Sequence, residues 1–200
     1  MTFVTQRLID QVTADTRRWV TRAVVGLNLC PFAKAPHLKG LIHYAVSLAE
    51  DQAALLADLT RELRALADAP EDERETTLLM VPRLFPDFLD FNDFLDRADA
   101  VLAALDLEGV LQIAPFHPRF QFAGTVEDDI TNATNRAPYP TLHLIRESSI
   151  DRAVAAFPEA ETVYLTNMAT MRRLGREGWA ALDVGAHEDA GEGDGKGEAS

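Results

Sequence analysis

The chain has 200 residues, enough for one domain, and its 47% hydrophobic content fills a single core without calling for a second. A formal charge of −13 opposes phosphate backbones, which excludes nucleic acid as an expected partner. The apolar runs, such as 77–81 and 142–145, stop far short of the roughly 20 residues that cross a bilayer, so no membrane partner is expected.

Ile9, Val12, Thr16, Trp19, Val20, Ala23, Val24 and Leu27 recur at three- and four-residue steps and predict an amphipathic helix that Asn28 and Pro31 end. From Leu41 to Leu48, Ile42, Tyr44 and Val46 alternate with His43, Ala45 and Ser47, the period of a strand. Leu55, Leu59, Leu63 and Leu66 then form the buried stripe of a second helix that stops at Ala69-Pro70. Thr76 to Val81 reads as a short apolar strand closed by Pro82.

Phe91, Leu95, Ala98, Leu102 and Leu105 mark a third helix, with Asp90 as its N-cap and Asp93 three positions on. Helix capping accounts for the acid-rich run Phe85 to Asp99 better than calcium binding does, because no DxDxDG loop is present. Val110 to Phe116 is a third strand and Thr141 to Arg146 a fourth, followed by a helix to Phe157. Pro158 to Leu182 holds one or two helices with Gly175 as a break.

This order predicts an α/β sandwich, a mixed sheet of about four strands covered by helices, with the first two strands parallel. Residues 1–183 form the expected domain. The remainder, 184–200, reads as a disordered acidic, Gly-rich tail; its last 15 residues carry five acids against one lysine and no large apolar side chain.

More than two dozen residues separate the third and fourth strands, and loops longer than about 12–15 residues in compact domains are usually functional or disordered. This one is aromatic and varied, which predicts a site. His117 follows the third strand directly, at the carboxyl end where ligands of α/β sheets sit. His143 lies in the fourth strand, and Asp128, Asp129 and Arg136 would close over the same edge.

Two chemistries suit those residues. His117 and His143 with Asp128 or Asp129 are suitable ligands for a divalent metal, although no HExxH or clustered Cys/His spacing is present. Alternatively a histidine serves as acid or base while Arg136 or Arg119 grips the carboxylate or phosphate of a small anionic molecule. Structural readings stand beside both: strand-end histidines often only hydrogen-bond, and the arginines and acids can pair with one another.

Cys30 is the only cysteine, which rules out an intramolecular disulfide and makes a reducing cytoplasm the expected compartment. In Cys30-Pro31-Phe32-Ala33 the thiol could cap a short helix whose dipole lowers its pKa, giving a nucleophile, or it could be a buried structural residue. The leading expectation is an enzyme acting on a small anionic substrate, and the second is a non-catalytic ligand-binding or regulatory module that uses the same pocket without turnover. Phe116, Phe120, Phe122 and Tyr139 allow a third, an exposed aromatic patch for a protein partner.

Four blocks in order, LNLCPFAKAP (27–36), LDFNDFLDRAD (89–99), LQIAPFHPRFQFAG (111–124) and TNRAPYPTLHLIRE (134–147), resemble an uncharacterised bacterial family, domain of unknown function 1415. The likeness runs from about Trp19 to Leu182. It implies a cytosolic bacterial protein with Cys30, His117, Arg136 and His143 inside the shared blocks, and it carries no activity to transfer.

Overall fold

The computed structural model describes residues 3–156 and 162–187. Four strands, β1 (Ile42–Val46), β2 (Thr76–Met80), β3 (Leu111–Phe116) and β4 (Thr141–Arg146), form one mixed sheet in the order β1-β2-β4-β3. β1 and β2 are parallel, and β4 runs antiparallel to both its neighbours. β4 therefore completes the sheet by entering between β2 and β3, and its residues are flanked on both sides.

One face is covered by α3 (Gln52–Asp68) and α4 (Phe88–Ala104). The predicted stripe Leu55, Leu59, Leu63 and Leu66 is wholly buried there, against Leu79 of β2 and Leu142 and Leu144 of β4. The N-cap of α4 is Asp87, three residues before the expected Asp90; its carboxylate accepts the Leu89 N–H, and Asp90 falls in the first turn.

The other face carries α1 (Phe3–Trp19), the short α2 (Lys34–Lys39), α5 (Glu147–Ala156) and α6 (Val163–Ala181). Val12, Trp19, Val20 and Ala23 pack with Leu78 and Met80 of β2. The two-residue alternation of the strands thus sends odd and even positions of β2 and β4 to separate cores. Gly175, at φ 70°, breaks α6 as its residue type predicts.

The first helix departs from its predicted course after Trp19. Val20–Val25 form a π-helix, with bonds such as Gly26 N–H to the Thr21 carbonyl and Leu29 N–H to the Val24 carbonyl. At the end of this turn Gly26 lies so close to the preceding one that a Cβ there would collide with the Arg22 carbonyl oxygen. The chain then swings Leu29 into the core and Cys30 into a turn over the sheet.

Of the expected tail, residues 184–187 are placed and the rest lies outside the described residues. Val184 is 5% exposed and belongs to the second core, so packing on this side continues past the boundary set at residue 183. Among the described residues no helix is long and apolar enough to cross a membrane.

Candidate functional site

The long loop between β3 and β4 is held by its own polar side chains. Buried Asn132 accepts from the Phe122 N–H and the Thr125 hydroxyl and donates to the Val126 carbonyl. A 3-10 helix, Ile130–Asn135, is capped by Asp129, whose carboxylate takes both the N–H and the hydroxyl of Thr131. Those bonds hold the Asp129 carboxyl below its ordinary pKa.

Arg136 donates to the carbonyls of Phe120 (3.2 Å) and Glu127 (2.5 Å), fastening the two arms of the loop. Asp128 faces outward and binds Arg176 of α6 at 2.5 Å, which lowers its pKa. Arg119 pairs with Glu127 and Asp87 at the surface. Each side chain assigned to an anion clamp or a ligand set in this loop therefore has a partner in the fold.

His117 is 1% exposed and engaged at both nitrogens. The Arg119 N–H donates to Nδ1 at 3.0 Å, which leaves the proton on Nε2 to donate to the Phe85 carbonyl at 2.9 Å. Its ring stacks on Phe91 of α4, centroids 5.4 Å apart. Burial is the main cause that pushes its pKa down. The hydrogen bond pins Phe85 in the left-handed region (φ 59°), a strained position for a bulky residue that its buried ring also fixes.

His143 points to the opposite side of the sheet. β3 and β4 do pair, Ala114 opposite His143, yet His117 turns toward α4 whereas His143 lies beneath α5. The expected convergence of both histidines with Asp128, Asp129 and Arg136 is not formed, because strand pleating divides the first pair and the loop's own bonds hold the rest. Among the described residues no three His, Cys, Asp or Glu side chains are placed to hold a metal ion, so the divalent-metal expectation finds no donor set.

The structure brings His143 instead to Cys30. Both line a cavity of about 280 Å³ between the sheet, the end of the first helix, the Cys30 turn and α5. Its wall is mostly apolar, with the Trp19 and Phe116 rings meeting edge to face at 5.1 Å and Phe116 reaching His143 at 6.0 Å. Small residues leave the space: Ala114 faces His143 across the strands, and Ala33 and Ala153 stand in the roof. The π-helix sets Trp19, Val20 and Val24 around one side.

The protonation of His143 follows from its neighbours. Thr76 donates its single hydroxyl proton to the Leu144 carbonyl at 2.6 Å, so its 2.8 Å contact with His143 Nε2 requires Nε2 to be the donor. Nδ1 is left as a bare acceptor. Among the described residues it makes no hydrogen bond, while every fully sealed side-chain nitrogen and oxygen there has a partner. Nδ1 is therefore reachable from the cavity. Burial depresses the His143 pKa to about 4, which keeps the ring neutral at pH 7.

Burial also raises the Cys30 pKa, outweighing the Phe32 and Ala33 N–H groups that favour the thiolate. This reverses the expected dipole effect: the thiol is desolvated by its surroundings, and α2 begins only at Lys34. Cys30 is thus a thiol, and no hydrogen bond joins it to His143. The four aromatic residues of the expected surface patch are each only partly exposed; Phe120 packs on Phe88 and Phe122 at 4.9 Å, and Tyr139 bonds Asp15.

A second polar cluster centres on Asp15, whose position in the sequence is its signal. It falls on the apolar stripe of α1, between Val12 and Trp19, where an acid must find partners. It is fully buried and accepts from the Tyr139 hydroxyl, Arg18, Gln11 and the His187 N–H. These bonds outweigh burial and hold its pKa low, and they tie 183–187 to α1. Every acceptor site on this carboxylate is occupied by the fold.

The chain belongs to the family described as protein of unknown function (DUF1415), which matches residues 11–181. No curated protein and no solved structure matches it.

Proposed function

We propose that this member of the DUF1415 family is a small-ligand-binding protein, with the cavity under α5 as its site and His143 as the group that engages the ligand's polar end. One observation carries the reading: an unprotonated imidazole nitrogen without a partner among the described residues stands at the wall of a largely apolar cavity. At about 280 Å³ the space lies just below the usual range of ligand pockets, about 300–1,000 Å³, and its few polar atoms amid apolar walls are the usual composition.

An enzyme acting on a small anionic substrate draws less support, since Arg136, Arg119, Asp128 and His117 are all bound within the fold. Cys30 favours a second reading, turnover in the same cavity with His143 as the base, because it places a thiol on the same wall.

Trp19 lines the cavity and reports its occupancy. In a Trp179→Phe background, titration with toluene should change Trp19 emission saturably, and Ala114→Leu or Ala153→Leu, which fill the space, should abolish the change. Saturable binding that survives both fillings would place the site elsewhere.

A further inference from the structure

We infer that the cavity selects an uncharged molecule that carries a hydrogen-bond donor on an apolar body of about one ring, and that it rejects carboxylates and phosphates. The inference rests on the cavity being the ligand site and adds the charge and polarity of what enters it.

The donor requirement comes from the hydrogen-bond chain Leu144–Thr76–His143. Since the Leu144 carbonyl can only accept, every proton in the chain has its place, and Nδ1 has a lone pair to offer and nothing to donate. A ligand hydroxyl or N–H completes the chain. A carboxylate or phosphate oxygen would instead face that lone pair, and protonating the ring to make it a donor would have to overcome the burial that depresses its pKa to about 4.

The charge requirement comes from the walls. No lysine or arginine stands among the described residues that line the cavity, so a buried anion would lose its hydration with no compensating charge. Glu75 stands on the same wall and supplies no positive charge for an anion to meet. It has Arg152 at 3.9 Å, so its own charge is answered outside the cavity and does not call for a cationic ligand. Trp19 and Phe116 supply flat apolar surfaces that suit a ring.

The test is a series with one ring and four substituents: benzyl alcohol, toluene, benzoate and benzylamine, titrated at pH 7 against the otherwise native protein carrying Trp179→Phe. Benzyl alcohol should bind about tenfold more tightly than toluene, the range of one neutral hydrogen bond, and benzoate and benzylamine should bind more weakly than toluene. In His143→Leu the alcohol and toluene should bind alike. Equal affinities of alcohol and toluene before that substitution, or benzoate or benzylamine matching the alcohol, would overturn the inference and leave the cavity as a site. Failure of all four, toluene included, would remove the cavity reading and this inference with it. The four-ligand comparison does not depend on His143→Leu folding.

Discussion

The face of the sheet under α3 and α4 and the face under α1, α5 and α6 draw on the same four strands, yet they bury their residues differently. On the first, leucines and phenylalanines from long regular helices meet Leu79, Leu142 and Leu144 and leave them fully buried. On the second, a π-helix, a turn at Cys30 and small residues in α5 hold the cover away from the sheet and leave a cavity. The histidines repeat the contrast. His117, on the sealed side, has both nitrogens bonded, whereas His143, on the open side, has one. A sealed polar group is a structural fastening; a half-satisfied one at a cavity can receive a ligand.

The largest effect that sharpens this contrast is a truncation on each face. Leu59→Ala, at a wholly buried position, should cost about 2–5 kcal/mol, measured by denaturant unfolding. Ile145→Ala, whose side chain already borders empty space, should cost less than half as much. Equal losses would mean that the cavity closes in solution.

Next in size, His117→Ala should destabilise by about 2–4 kcal/mol, because it leaves the Phe85 carbonyl and the Arg119 N–H without their partner and removes a stacked ring. A variant as stable as the parent would break the distinction between the two histidines and return His117 to the groups free for chemistry.

The smallest effect is the pH dependence of stability. An unfolded histidine takes up its proton near pH 6.5, whereas folded His143 does so only near 4, so between those values the unfolded state binds more protons. The contribution is fully present above pH 6.5 and is lost as pH falls toward 4, by up to about 3 kcal/mol. His117, shifted in the same direction, adds to the slope. His143→Leu should flatten it measurably, and an unchanged slope would mean that the His143 ring is solvated like a surface histidine.

The candidate site is partly legible in the sequence. Cys30 and His143 both stand out as residue types able to do chemistry, but the sequence groups each with its own neighbours. Pairing of their strands suggests setting His143 with His117, and the strands do pair; what decides is that one ring lies on each side of the pleat. The polar residues of the long loop, Asp128, Asp129, Asn132 and Arg136, are conspicuous for a different reason: a loop of that length needs side chains to bond its backbone.

Periodicity placed the long helices and the four strands, and the stripe Leu55, Leu59, Leu63 and Leu66 also marked its own buried side. Along β1 alternation did not choose a face, since Ala45 and Ser47 are buried on one side and Ile42, Tyr44 and Val46 are half-buried on the other. The order of the elements also determined the α/β architecture and the parallel start of the sheet. Only the tertiary structure decided that β4 lies between β2 and β3, that the first helix widens at Val20, and that Cys30 and His143, 113 positions apart, share one hollow. The reason is physical: periodicity records which way a side chain faces, whereas a cavity exists where surfaces from distant segments fail to meet, and no local pattern encodes that gap.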